Sequence, residues 1–266
     1  MHYDSFFNLL WEDYVKIAPQ ARQIHDLFTR KGEQVFNDHV AFRTFSNSPI
    51  DLLKLEPVIF DMGYTCQQHY HFEKKKLMAR SYSHRDPLAP KIFLSELQRH
   101  LLSAESQQIL ANVVAQISTN AVTGPETFAH GLFWNPVSFA DYSHLSSESE
   151  YAAWLTCMGL RVNHFTVCLN HLKNLTSMEK VIALLEENGF AINQVGGAIK
   201  GVPADLLVQA STLADQIEVT FGCGHTTTVP SCFYEFAKRY KNAEGKLFDG
   251  FITNNADKIF ESTHRA

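Results

Sequence analysis

The stretch Asp38-His39-Val40-Ala41-Phe42-Arg43-Thr44-Phe45 alternates His39, Ala41, Arg43 and Phe45 with Val40, Phe42 and Thr44. A period of two in a run rich in strand formers predicts a β-strand, with the histidine and the arginine on one face. A similar opening recurs 125 residues later as Asn163-His164-Phe165-Thr166-Val167-Cys168. Each strand leads into a helix-like segment that ends at a glycine followed by an aromatic residue, Met62-Gly63-Tyr64 and Asn188-Gly189-Phe190. That glycine lies 24 residues after His39 and 25 after His164. Each unit then closes on an apolar strand carrying an acid, Phe93-Leu94-Ser95-Glu96 in the first and Phe233-Tyr234-Glu235-Phe236 in the second. Agreement of motif, spacing and order predicts a duplicated strand-helix-strands module.

Working outward, apolar residues from Phe6 to Phe28 recur at spacings of three and four, the period of one or two amphipathic helices that Gly32 would end. A helix is expected from Ser48 as N-cap with Pro49 in its first turn, kinked or broken at Pro57. Strands are expected at 65–71, 77–83 and 91–97, and a mainly helical insertion from 98 to about 159. In the second unit Thr176 and Glu179 form a capping-box pattern at a helix start, followed by strands at 191–199, 206–211, 216–221 and 232–237. The expected class is α+β. A single compact domain over 1–266 comprises N-terminal helices (1–36), module 1 (37–97), a helical insertion (98–160) and module 2 (161–266).

A net charge of −5, with basic residues scattered apart from Lys74, Lys75 and Lys76, gives nothing to attract nucleic acid or an acidic membrane. That triplet reads as a solvated hairpin face. The five cysteines show no C-x-x-C spacing and lie mostly in apolar stretches, which fits a reducing compartment. The first residues have the character of neither a signal nor a transit peptide, and no apolar run would span a bilayer, so a cytoplasmic protein is expected. There is no G-x-S-x-G elbow and no phosphate-cradling glycine loop.

Pseudo-symmetry would bring the first strands of the two modules together at a shared axis, and with them His39 and His164. Two imidazoles and one carboxylate leave coordination positions open, as in non-haem Fe(II) oxygenases and in catalytic zinc sites. The acid could be Glu96 or Glu235 by symmetry alone. His69 and His71 also share a strand face, but Gln194, their counterpart in the repeat, is no ligand. Arg43 lies on the face of His39, roughly 13 Å along the strand, well placed to bind an anion at the far end of a short dicarboxylate. Residues 197–211, including Lys200, Gln209 and Ser211, could line the pocket; of these Ser211 is taken as a substrate-binding candidate.

The strings 38–45, Val229-Pro230-Ser231-Cys232-Phe233-Tyr234-Glu235-Phe236-Ala237 and Ala256-Asp257-Lys258-Ile259-Phe260-Glu261-Ser262-Thr263 resemble the 2-oxoadipate dioxygenase/decarboxylase family. The resemblance implies a vicinal oxygen chelate-like fold and a catalytic Fe(II) held by His39, His164 and Glu235, which decides between the two acids. It implies Arg43 as a catalytic, substrate-binding residue, a 2-oxo acid and dioxygen as reactants, and 2-hydroxyglutarate with carbon dioxide as products. The same ligands would also serve a metal-dependent hydrolase or isomerase, and the scaffold could carry a non-catalytic binding module.

Overall fold

The computed structural model describes residues 1–263. Two helices, α1 (Tyr3–Ile17) and α2 (Pro19–Arg30), precede the first module, which runs β1 (Asn37–Phe45), α3 (Leu52–Asp61), β2 (Tyr64–Phe72), β3 (Leu77–His84) and β4 (Lys91–Leu97). The insertion supplies α4 (Ala104–Val114), α5 (Phe139–Glu148) and α6 (Glu150–Met158). The second module runs β5 (Val162–Cys168), α7 (Met178–Glu187), β6 (Leu207–Ser211), a hairpin of β7 (Gln216–Thr220) and β8 (Thr226–Pro230), β9 (Phe233–Arg239) and α8 (Thr253–Phe260).

Seven strands form one mixed sheet in the order β2-β3-β4-β1-β5-β9-β6. β1 is parallel to β4 and β5 is parallel to β9, while β3 and β6 run antiparallel outside them. The two modules meet where β1 and β5 pair antiparallel. A half-turn about that seam exchanges one module for the other, which is the α+β, vicinal oxygen chelate-like arrangement expected. It also puts the strands that carry His39 and His164 side by side at the centre of the sheet.

Strand alternation separates two faces. Phe165, Tyr234 and Phe236 point outward, where Trp11 and Tyr14 of α1 pack on Phe165 (ring centroids 5.2 and 5.1 Å) and Phe28 of α2 packs on Phe236 (5.9 Å). This burial stabilises each fully covered aromatic by about 1.5–3 kcal/mol. His164, Thr166 and Glu235 alternate with these residues and so face the other way, into the site.

Five local expectations need correction. The N-cap of α7 is Ser177, whose hydroxyl accepts from the Lys180 N–H at 3.3 Å, so Thr176 and Glu179 do not form the capping box. The N-cap of α3 is Asp51, whose carboxylate accepts from the Lys54 N–H at 3.0 Å, whereas the Ser48 hydroxyl donates to the Phe45 carbonyl. Pro57 lies inside α3 without breaking it; the carbonyl it leaves free belongs to Leu53, on the exposed side where water can reach it. The expected strand at 191–199 does not form, because the chain there meets β6 and the residue after it only through isolated bridges at Lys200–Gln209 and Ile192–Thr212. Between these bridges Gly196 and Gly197, at φ 70° and 95°, let the extra residues loop out. The insertion is less helical than expected, since residues 115–138 between α4 and α5 form turns and one 3₁₀ segment, Pro125–Ala129. Among the described residues no helix is long and apolar enough to cross a membrane.

Candidate metal centre

His39 on β1, His164 on β5 and Glu235 on β9 converge on the inner face, each offering one donor atom within 4.8 Å of the others. They are 2%, 4% and 0% exposed. Glu235 Oε2 lies 3.1 Å from His164 Nε2, and Oε1 lies 3.7 Å from His39 Nε2. Donors bound at about 2.1 Å to one ion at right angles stand about 3 Å apart, so this spacing matches a shared cation. Oε2 is buried without a well-aligned hydrogen-bond donor, an acceptor that a cation would satisfy.

The ring atoms behind the site are held in matching ways. His39 Nδ1 is 2.7 Å from the Asp38 carboxylate and His164 Nδ1 is 3.0 Å from the Asn163 amide oxygen. In both units the residue just before the histidine sets an acceptor oxygen against Nδ1 and leaves Nε2 facing inward, which orients an imidazole toward a metal. Thr166 Oγ1 adds a contact of 3.0 Å to His39 Nε2, and the Gln209 amide donates to Glu235 Oε1 at 2.7 Å. Asp38 is itself gripped by Arg239, through Nε and Nη2 at 2.7 and 2.8 Å.

Burial works against the charge on Asp38, but the Arg239 guanidinium and the His39 imidazole prevail and hold its carboxyl well below the usual range. Burial likewise opposes ionisation of Glu235, yet the two imidazoles and the Gln209 amide leave its pKa lowered. Burial holds the His164 pKa down in spite of Glu235, which favours the neutral ring that a metal requires.

The register of the sheet separates the two candidate acids. His164 pairs with Phe233 and Glu235 lies two residues on, while His39 pairs with Lys91, so the place equivalent to Glu235 is Phe93. Glu96, three residues further, faces the other side and accepts from the Leu52 N–H at the start of α3 at 2.9 Å. His69 and His71 stand exposed on the edge strand β2, away from the centre. Ser211 pairs in register with Glu235, and its hydroxyl lies 2.8 Å from that of Ser262. Lys200 is buried but turned to the carbonyls of Asn193, Gly197 and Ala198.

Arg43 is 1% exposed and its guanidinium lies 4.8 and 4.9 Å from the ring centres of Tyr151 and Trp154. Phe251 stands edge-on to His39 (4.8 Å) and Phe233 stacks on His164 (4.6 Å), so apolar walls enclose the donors. Asp38, Asn163, Thr166, Arg239 and Phe251 were not singled out from the sequence. The polar residue that precedes each histidine was the available signal for the first two.

A family model described as 2-oxoadipate dioxygenase/decarboxylase matches residues 3–246. The chain belongs to the 2-oxoadipate dioxygenase/decarboxylase family. Within the family, a rice protein named 2-oxoadipate dioxygenase/decarboxylase, chloroplastic/amyloplastic, is 35% identical over 98% of this chain and 79% of its own length. The crystal structure of hydroxyglutarate synthase from Oryza sativa in complex with 2-oxoadipate is 33% identical, with a TM-score of 0.91 over 97% of this chain and 91% of that one. A Shewanella frigidimarina NCIMB 400 protein described as a candidate hydrolase is 41% identical, with a TM-score of 0.89 over 94% of this chain and 98% of that one.

Proposed function

We propose that this protein is an Fe(II)-dependent dioxygenase/decarboxylase acting on a 2-oxo dicarboxylic acid of the 2-oxoadipate kind. The observation that carries this reading is the buried His39, His164 and Glu235 cluster, drawn from both modules in a chain of this family. Atoms balance with one dioxygen: a six-carbon 2-oxo diacid yields five-carbon 2-hydroxyglutarate and one carbon dioxide. Bound Fe(II) supplies a Lewis-acidic, redox-active centre with positions left open for the 2-oxo acid and dioxygen.

The residues of the chain hold and shield. Asp38 and Asn163 fix the two imidazoles, and Gln209 occupies Glu235 Oε1 so that Oε2 remains for the ion. Arg43, the catalytic residue in contact with substrate, anchors the far carboxylate, and Ser211 contributes to the wall beside Glu235. Phe93, Phe233 and Phe251 keep water from the reacting end. The whole chain acts as one catalytic unit, and its five unpaired cysteines support a reducing, cytoplasmic setting.

Oxygen uptake on adding 2-oxoadipate to Fe(II)-loaded protein tests the reading, together with metal content after purification. Uptake matched by carbon dioxide release is expected, and His164→Ala is expected to lose both metal and uptake. Carbon dioxide release that is as fast without oxygen would overturn it. The description of the Shewanella protein favours a second reading, a metal-dependent hydrolase on the same donors, whose mark is ester or amide turnover with zinc and no oxygen uptake.

A further inference from the structure

Arg43 offers five N–H donors in a plane, with two edges able to take a carboxylate: Nη1 with Nη2, and Nε with Nη2. The first edge is engaged. Nη1 donates to Glu150 Oε1 at 2.9 Å and Nη2 donates to Thr263 Oγ1 at 3.0 Å. The second edge is only half used, since Nε is buried with no hydrogen-bond partner. A buried donor left bare costs about 1–3 kcal/mol, an expense that an incoming carboxylate would remove.

Glu150 comes from outside the two modules. It is the first residue of α6, after Ser149, whose hydroxyl caps the helix by accepting from the Ala152 N–H at 3.2 Å. A carboxylate in that first turn is favoured by the helix dipole. The next residue, Tyr151, lies against the guanidinium and is fixed in turn, its hydroxyl donating to the Ser95 carbonyl at 2.8 Å and accepting from the Thr44 N–H at 3.0 Å. The Glu150 side chain is 22% exposed while that of Arg43 is 1% exposed, so the acid approaches from the solvent side. On that side it borders a cavity of about 250 Å³ shared with Lys74, Lys75 and Phe260.

We propose that Glu150 is a positioning residue for substrate selection: it holds the outer edge of Arg43 so that the Nε–Nη2 edge is presented to the far carboxylate of a 2-oxo diacid. This rests on the reading of Arg43 as the anchor of that carboxylate. Glu150 keeps its bond to Nη1 when substrate is present, and the Thr263 hydroxyl, able to donate as well as accept, can release Nη2 and turn to the same carboxylate. The helical insertion thereby sets which acids the paired modules accept.

The test compares wild type, Glu150→Gln and Glu150→Asp on 2-oxoadipate and on 2-oxohexanoate, which has the same chain length and no far carboxylate. KM and kcat come from oxygen uptake by the Fe(II) enzyme, and the dissociation constant of 2-oxoadipate from anaerobic calorimetry. Glu150→Gln is expected to raise both KM and the dissociation constant for 2-oxoadipate about tenfold, with kcat falling no more than about twofold. Glu150→Asp should recover part of the loss, and kinetics on 2-oxohexanoate should not move. Equal losses on both acids, or tighter binding of 2-oxoadipate by Glu150→Gln, would overturn the proposal, the latter by making Glu150 a competitor for Arg43. If Arg43→Met binds 2-oxoadipate as tightly as wild type, the anchor reading itself fails, which is a different result.

Discussion

Asp38 and Asn163 stand in equivalent places before their histidines, yet one is a charged partner and the other a neutral one. The Asp38 carboxylate bonds to both His39 and Arg239, and Arg239 also donates to the carbonyls of Phe248 and Gly250. The segment that brings Phe251 onto His39 is thus tied to the same carboxylate that orients the ring. Asp38→Asn keeps the shape and an acceptor but leaves Arg239 buried without its counter-charge. We expect it to weaken metal binding about 10–100-fold and to destabilise the fold by about 3 kcal/mol, read by chelator competition and urea unfolding. A variant that holds metal as tightly as wild type would refute this. At this scale His39 and His164 were legible because the repeat marked them, and Arg43 was noticed because it shares the strand face of His39. The choice between Glu96 and Glu235 was also written in the spacing: the acid follows its Phe by three residues in one strand and by two in the other, and an odd offset turns it to the opposite face.

Among the elements, the end of α5 is bound to the start of α4 through one side chain. Glu148 accepts from the Ser103 N–H at 2.9 Å, from the hydroxyls of Ser103 and Ser106 at 2.7 and 2.6 Å, and from Lys76 at 2.9 Å. Partial burial opposes its ionisation, but these donors prevail and lower its pKa from 4.5 to about 2. A lowered carboxyl pKa contributes stability that is present above the unfolded value and lost as pH falls through the folded one. Glu148→Gln is therefore expected to cost about 1–3 kcal/mol at pH 7. Its difference from wild type should shrink between pH 4.5 and about 2, measured by urea unfolding across that range. A difference that does not change with pH would refute the assignment. Element existence was mostly legible from period, whereas their limits were not. Ser48 and Asp51 are both good caps, and only packing chose Asp51. The looped segment 191–200 has the composition of a strand, and the two glycines that disrupt it say nothing by themselves about which bridges survive on either side.

For the molecule as a whole, duplication was readable but strand order was not, because spacing along a chain does not say which strands pair across the seam. Once β1 and β5 are neighbours, the site is a consequence: His39 comes from one module and His164 and Glu235 from the other, so a bound ion would fasten the two together. An ion that binds only when all three groups are assembled has little affinity for the unfolded chain, and its binding energy adds to folding stability. At a free metal concentration about a hundred times the dissociation constant the gain is about 2.7 kcal/mol. For a chain of this size that raises the melting temperature by about 5 °C or more. Chelator-stripped protein titrated anaerobically with Fe(II) should show this rise in calorimetry, growing with the logarithm of free metal. His39→Ala and Glu235→Ala, altered in different modules, should both abolish it. If His39→Ala kept the full rise, the ion would be held by the second module alone, and the seam between β1 and β5 would owe nothing to metal.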